Sequence, residues 1–316
     1  MRASSEHPAS SPAGAVRGPR VSRKQFQMAI ARQSSLQRSP APRTRTADIE
    51  ELAVWARKLT GITLTDRKED FLASRLARRL AATGCTDFSG YCRRLASDPQ
   101  EHVRFAEALT THTTSFFRES PQFDWLRAEG LRELVDARGP TRDIVVWSAA
   151  CSTGQEGYSA LMVTEQARML DMLPLRASLV GTDISSQVLR VASQAVYDRT
   201  QIREIPAEMR PRFLLSSRKD DGRYRIVPEL RNRATWRKGN LVSGAGLDDL
   251  RADVVFLRNV LIYFDEDMRK AAVENVVRRL KPGGFLLLGH TEGCHIRHRS
   301  DLQTVRPSIF RKVQAE

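Results

Sequence analysis

No Cys-x-x-Cys pair occurs among the chain's four cysteines, Cys85, Cys92, Cys151 and Cys294. That argues against a zinc site or a disulfide framework and fits a reducing compartment, so no metal centre is expected. No apolar run reaches the roughly 18 to 20 residues that a membrane span needs. The N-terminus has no apolar stretch of the signal-peptide kind. A cytoplasmic location without membrane insertion is therefore expected. The chain also lacks a G-x-G-x-x-G turn and a lysine placed for a phosphate-binding loop, so a pyrophosphate ligand is not expected.

What is present is ordinary in bulk. The 316 residues suffice for a large domain plus a smaller one. Hydrophobic residues make up 41% and charged residues 28%, as in a globular protein. The net charge of +14 is unevenly spread. Residues 1–46 hold nine Lys/Arg against one acid, Glu6, so eight of those charges sit there and +6 is left for the rest. This stretch is rich in Ser, Pro, Ala and Arg and too poor in bulky apolar groups to offset its ordering entropy. It is expected to be a disordered basic tail, with one short amphipathic piece, KQFQMAIAR at 24–32, as a candidate for docking. Basicity confined to a tail does not make the body a nucleic-acid binder.

From Ile49 the apolar residues fall into helical step, with Leu52, Trp55, Ala56 and Leu59 at i, i+3, i+4 and i+7. Phe71, Leu72, Leu76 and Leu80 line a second helix, FLASRLARRLAA, and further helices are read at 88–95, 101–109 and 121–133. No strand alternation occurs before Asp143, so residues 47–127 read as an all-helical domain. After Gly139-Pro140 the period changes. DIVVWS (143–148) is a short, almost wholly apolar strand, followed by ASLVG (177–181), ADVVFL (252–257), GFLLLG (284–289) and 308–313. Helical segments at 160–170, 186–196 and 267–280 alternate with them, the pattern of a doubly wound α/β sheet over 128–316. Asp221-Gly222, flanked by RYRIV, is a good hairpin turn and marks a small antiparallel insertion at about 212–238.

In open α/β sheets, ligands bind where strands end and helices begin. The first such turn, Ala149-Ala150-Cys151-Ser152-Thr153-Gly154-Gln155-Glu156-Gly157, is built of small residues that let a ligand approach the backbone. It fits a small zwitterion, and a merely structural turn would look the same. The second strand ends in Gly181-Thr182-Asp183. Asp183 either accepts bonds from ribose hydroxyls or caps the next helix alongside Ser185 and Ser186. The fourth strand ends in Arg258-Asn259, polar residues at the ligand edge. The loop onward to Phe264 has no proline, unlike the Asn/Asp-Pro-Pro-Tyr of enzymes that methylate bases. On the helical part, Arg75, Arg78 and Arg79 share a face at i, i+3 and i+4, with Lys68 on the same segment. Such a face is either solvated or a dock for an acidic partner.

The stretches LTTHTTSFFRE, VWSAACSTGQEGYS, GTDIS, KGNL, FLRNVLIYF and LKPGGFLLLGHTE, in this order, resemble those of the chemotaxis receptor protein-glutamate O-methyltransferase (CheR-type) family. The resemblance runs from about residue 49 to 313. It implies a Rossmann-like S-adenosylmethionine methyltransferase sheet with a small antiparallel β insertion, preceded by an all-helical N-terminal domain that recognises receptors. It implies S-adenosyl-L-methionine as cofactor, S-adenosyl-L-homocysteine as product, and methyl esterification of glutamate side chains on the cytoplasmic helices of methyl-accepting chemoreceptors. Residue by residue, it implies cofactor contacts from His112, Thr114 and Arg118, and from Glu156 to the amino group. It places Asp183 at the ribose, Asn240 and Leu241 beside the adenine, and Arg258 and Asn259 after the fourth strand. Arg118 and Tyr263 stand at the methyl-transfer centre, while Lys68, Arg75, Arg78 and Arg79 engage the receptor. Three positions depart from the family pattern: His112 for Asn, Gln155 for Glu and Gly157 for Pro. A histidine still donates one hydrogen bond, so altered affinity rather than lost activity is expected.

The chemistry agrees. A glutamate side chain with an unperturbed pKa of roughly 4.3 is already an anionic nucleophile at neutral pH and needs no general base. The enzyme's work is then in-line positioning and desolvation, with Arg118 orienting the carboxylate and Tyr263 packing or hydrogen-bonding beside the methyl. Some family members also bind a receptor's C-terminal pentapeptide by strand addition to the hairpin insertion. The stretch SSRKDDGRYRIVPELR lacks their glycine-rich lead-in, so independence of that tether is expected, as is a monomer. Two other classes fit less well. A nucleic-acid methyltransferase is suggested by the tail and opposed by the missing Pro-Pro-Tyr. A non-catalytic cofactor sensor is raised by His112 and Gln155 and opposed by Arg118, Glu156, Asp183 and Asn259.

Overall fold

The computed structural model describes residues 45–64, 68–109, 113–138, 143–219, 221–296 and 298–313. The basic tail with its KQFQMAIAR segment, and His112, lie outside the described residues. Helices α1 (Thr46–Thr60), α2 (Lys68–Thr83), α3 (Phe88–Ser97) and α4 (Pro99–Leu109) come first. Each buries the stripe its spacing sets. Leu52 and Ala56, Leu72, Leu76 and Leu80, Tyr91 and Leu95, and Phe105 and Leu109 close into one cluster. Asp87 caps α3 by accepting from the Gly90 amide at 2.8 Å. Gly61, left-handed at φ 80°, ends α1.

Side chains from Phe116 onward join the core of the sheet instead. Phe116, Phe117, Phe123 and Trp125 pack with Val146, Phe256 and Phe285. They lie on or just before α5 (Ser120–Trp125), which runs through a π turn (Leu126–Gly130) into α6 (Leu131–Arg138). The helix read over 121–133 is therefore interrupted. Trp125 folds back over Gly130, where a Cβ would stand 2.9 Å from its ring.

The remaining elements are β1 (Asp143–Ala149), α7 (Gln155–Met169), β2 (Arg176–Asp183), α8 (Ser186–Gln194), β3 (Val196–Asp198), α9 (Arg210–Phe213) and β4 (Leu214–Ser216). They continue with β5 (Arg223–Ile226), α10 (Pro228–Arg231), β6 (Ala234–Lys238), β7 (Ala252–Leu257), α11 (Glu266–Arg279), β8 (Leu280–Leu288), β9 (Leu302–Arg306) and β10 (Ile309–Lys312). The main sheet has the order β6-β2-β1-β7-β8-β10-β9. Its first five strands are parallel, and β10 pairs antiparallel with both β8 and β9. Every residue of β7 is buried, as a central parallel strand requires.

A second sheet, β3-β5-β4, is antiparallel throughout. Asp221-Gly222 lies in the connection between β4 and β5, as the dipeptide suggests. The antiparallel insertion expected at about 212–238 differs at both ends. The third strand is β3, from upstream, and β6 leaves to form the edge of the main sheet, parallel to β2. The reason is Trp236 on β6, whose ring lies against Gly181, Gly154 and Gly157, positions where a Cβ would meet it.

The parallel strands end at one edge, and the helical region is stitched to that edge. Ile62 bridges to Phe264, and the Thr63 amide donates to the Tyr263 carbonyl at 3.0 Å. Arg57 pairs at 2.8 Å with Asp265, which also caps α11. Among the described residues no helix is long and apolar enough to cross a membrane.

Candidate active site

A cleft of about 1020 Å³, open mouth included, lies along that edge. The turn after β1 forms its floor by alternating into left-handed backbone, with φ 61° at Ala150, 50° at Ser152 and 93° at Gly154. Two acceptors at the end of β2 hold it. Cys151 donates its amide to the Thr182 carbonyl at 2.9 Å, and Ser152 donates to Asp183 Oδ2 at 2.9 Å. The other Asp183 oxygen accepts from the Ser185 amide at 3.0 Å. The cap of α8 is Ser185, whose hydroxyl accepts from Val188, so the capping alternative for Asp183 falls away. Asp183 is buried, ties two loops together and borders the cleft. Gly154 is needed for a different reason from ligand approach. Its missing Cβ would stand 2.9 Å from Ala192 and 3.1 Å from Trp236, so the position serves the start of α7 and the packing beneath it.

Charge is concentrated at the deep end. The Arg258 side chain is 1% exposed and lies over the Phe123 ring at 5.5 Å. One of its terminal nitrogens donates to the Arg118 carbonyl. Two acids flank it, Glu119 at 3.4 Å and Glu156 at 3.7 Å. Burial pushes the Glu156 carboxyl up, against the opposing pull of the Arg258 guanidinium and of Ser148, whose hydroxyl donates to it at 2.7 Å. Arg258 Nε and Nη1 and Glu119 Oε2 are buried without a hydrogen-bond partner among the described residues. Donors and an acceptor with unmet hydrogen bonds, set among these ion pairs, suit a ligand that carries both a carboxylate and an ammonium.

Asn259 sits beside this cluster in left-handed backbone at φ 56°. Its amide donates to Glu292 Oε2 at 2.7 Å, and its side chain donates to Glu119 Oε1 at 3.3 Å. Glu292 is 1% exposed and also accepts from the Leu261 amide at 2.8 Å and the Gly289 amide at 2.9 Å. Three backbone donors on one carboxyl fix the loop that carries Arg258, Asn259 and Tyr263. Sequence reading singled out neither Glu119 nor Glu292. Both stand inside quoted motifs, at the ends of LTTHTTSFFRE and LKPGGFLLLGHTE, and that position was the available signal.

The rest of the cleft is more open. Thr114 is half-buried and Arg118 is exposed, with its guanidinium donating to the Thr113 carbonyl at 3.2 Å. Asn240 and Leu241 line the wall after β6, where the Asn240 side chain accepts from the Val242 amide at 2.8 Å. Half-buried Tyr263 closes the far side with Thr60 and Ile62 of the helical region. The cleft thus brings together Thr114, Arg118, Glu156, Asp183, Asn240, Leu241, Arg258, Asn259 and Tyr263.

Away from the cleft, the four cations on α2 differ. Arg78 is exposed, Arg75 lies over the Phe71 ring at 5.6 Å, and Lys68 pairs with Glu50 at 3.1 Å. Arg79 is turned inward. It closes a two-pronged pair on buried Glu101, at 2.8 and 2.7 Å, which also accepts from the Tyr91 hydroxyl. Helical spacing places Arg79 on the shared face, but its guanidinium is committed to the helical core.

A parallel sheet of this order, with a small-residue turn after β1, an acid at the tip of β2 and a deep pocket suited to an amino-acid zwitterion, defines an S-adenosylmethionine-dependent methyltransferase. The residues present fit that cofactor. The comparisons then narrow the class. The model of the CheR methyltransferase SAM binding domain matches residues 112–309, and that of the CheR methyltransferase all-alpha domain matches residues 47–110. The chain belongs to the CheR methyltransferase family. It is 36% identical to chemotaxis protein methyltransferase 2 of Pseudomonas aeruginosa, over 82% of this chain and 91% of that protein. It is 34% identical to the chemotaxis protein methyltransferase of Escherichia coli, over 77% of this chain and 83% of that one.

Proposed function

We propose that this methyltransferase esterifies glutamate side chains on the cytoplasmic helices of chemoreceptors, yielding glutamyl methyl esters and S-adenosylhomocysteine. The observation that carries the reading is the division of the cleft. A buried, charge-matched end is suited to the amino-acid part of the cofactor, and an exposed Arg118 lining the same cleft as Tyr263 is suited to an incoming carboxylate. The family membership and the relatives' names supply the class of acceptor.

When bound, S-adenosylmethionine supplies a methyl group on a sulfonium, which leaves as a neutral thioether. In this reading Arg258 and Glu156 hold the cofactor's carboxylate and ammonium, with Thr114 and Arg118 beside them. Asp183 takes the ribose hydroxyls, Asn240 and Leu241 flank the adenine, and Asn259 holds the wall between. His112 stands where the family has asparagine and is assigned the same cofactor contact, with altered affinity. Arg118 orients the acceptor carboxylate, and Tyr263 packs at the point of transfer. An acceptor already ionised at neutral pH needs no base, so the side chains work by positioning and by excluding water. An over-tight Arg118 contact would be lost as the carboxylate charge is neutralised, which favours a cation that stays solvated.

Receptor recognition is assigned to α2 through Arg78 and Arg75, with Lys68 at its start, while Arg79 supports that helix from within. Cations at or near the surface act through steering and salt dependence more than through affinity. We further read the enzyme as a cytoplasmic monomer that does not depend on a receptor tether. The test is transfer of radiolabelled methyl from S-adenosylmethionine to receptor-containing membranes, followed by alkaline treatment. Label on the receptor, released by base as methanol, is expected. Base-stable label, or transfer to nucleic acid instead, would overturn the assignment.

A further inference from the structure

Tyr197 on β3 ties the small antiparallel sheet to the turn behind the cleft. Its side chain is 1% exposed, and its hydroxyl donates to the Thr153 carbonyl at 2.8 Å. Thr153 lies within the turn after β1, between left-handed Ser152 and left-handed Gly154. That turn shows its inner side to the cleft through Ala150, Cys151 and Ser152. Its outer side shows the Thr153 carbonyl, which would lack this partner without the tyrosine hydroxyl. The ring of Tyr197 also meets Phe116 edge-on, with centroids 4.9 Å apart. Phe116 is buried in the segment whose neighbours Ser115 and Arg118 also line the cleft. One side chain therefore touches, from behind, two segments that line the cofactor cleft.

We infer that Tyr197 is a positioning residue for cofactor binding, and that the small sheet in this enzyme holds the turn after β1 in its cofactor-ready shape. A turn with three left-handed residues in five relaxes readily unless its polar groups are met. Asp183 and Thr182 meet them on one side and Tyr197 on the other. Burial pushes the Tyr197 hydroxyl well above its ordinary range, so it remains a neutral donor at every working pH.

A matched control lies in the same cluster. Tyr158 is 0% exposed, its centroid is 6.4 Å from that of Tyr197, and its hydroxyl donates to the Ala192 carbonyl at 3.1 Å. That carbonyl belongs to α8, where Ala192 packs against Gly154 but gives the turn no hydrogen-bond partner. Tyr197→Phe and Tyr158→Phe each delete one buried hydroxyl and leave one backbone carbonyl unmet. Only the first loosens the cleft.

The inference rests on the turn being part of the cofactor site. Calorimetry of S-adenosylhomocysteine with the unaltered protein tests that reading first, and absence of binding there would remove the reading rather than the inference. Given binding, Tyr197→Phe is expected to raise the Kd by about tenfold. Turnover at saturating S-adenosylmethionine should stay within about twofold, because the uniform loss of binding raises KM alone. Tyr158→Phe should lower the melting temperature comparably and leave the Kd unchanged. A lowered melting temperature with unchanged Kd for Tyr197→Phe would overturn the inference. Equal shifts in Kd for both variants would overturn it as well. Should Tyr197→Phe not fold, hydrogen exchange of the unaltered protein decides. The Ser152 and Gly154 amides are expected to be protected before ligand is added, and fast exchange that slows only on binding contradicts the proposal.

Discussion

The two ends of the cleft are built on opposite principles. At the deep end Arg258, Glu156, Glu119, Asn259 and Glu292 are buried or half-buried and bonded to one another or to backbone across 33 to 140 positions of sequence. At the mouth Arg118 is exposed and Tyr263 half-buried, with Ile262 beside it 54% exposed. The difference teaches where each ligand's binding energy has to come from. A small cofactor must be met by groups already in place, because every reorganisation on binding subtracts from affinity. An acceptor carboxylate that arrives on a large partner is brought by the partner's own contacts, so the mouth needs only orientation.

The largest expected effect comes from breaking the deep end. Glu292→Ala leaves the amides of Gly289, Asn259 and Leu261 without their shared acceptor. Loss of stability by about 3 kcal/mol or more in urea unfolding is expected, with S-adenosylhomocysteine binding lost or greatly weakened. A stable variant with normal affinity would show that the loop holds its left-handed Asn259 without help. A smaller effect sharpens the comparison on the helical region. Arg79→Ala should destabilise the protein by about 1–3 kcal/mol, since it strips the two-pronged partner from buried Glu101. Arg78→Ala should change stability by less than about 0.5 kcal/mol while weakening receptor methylation in a salt-dependent way. The Glu101 pair also predicts a pH signature. Burial alone would raise Glu101, but the Arg79 and Tyr91 bonds outweigh it and hold its carboxyl below the ordinary value. A folded-state value below the unfolded one means that this stabilisation is complete at neutral pH and is lost as pH falls through the carboxylate range. Urea unfolding of the unaltered protein and of Arg79→Ala, compared at neutral and acid pH, checks this. The difference between them should shrink on acidification.

Much of this was legible in the sequence, and the exceptions share a cause. The alternation of apolar strands with amphipathic helices gave the winding of β1, β2, β7 and β8, and the small residues after β1 with the acid after β2 located the cleft. Periodicity carries no information about partners far along the chain. Arg79 stands on the same helical face as Arg75 and Arg78, and only Glu101, on another helix, turns it inward. Glu119 and Glu292 look like unremarkable surface acids until folding brings Asn259 between them. The strand at 234–238 has no alternation to separate it from the hairpin before it. Its place in the main sheet is decided by Trp236 finding the glycines of β2 and α7.

One end of the cleft binds and the other orients, and a single pair of variants separates the two. Asp183→Ala and Arg118→Ala would be compared for S-adenosylhomocysteine affinity by calorimetry and for turnover on receptor membranes. Asp183→Ala is expected to weaken affinity by about 1–3 kcal/mol, while Arg118→Ala reduces turnover more than affinity. Unchanged affinity for Asp183→Ala, or a loss in Arg118→Ala confined to affinity, would contradict this division.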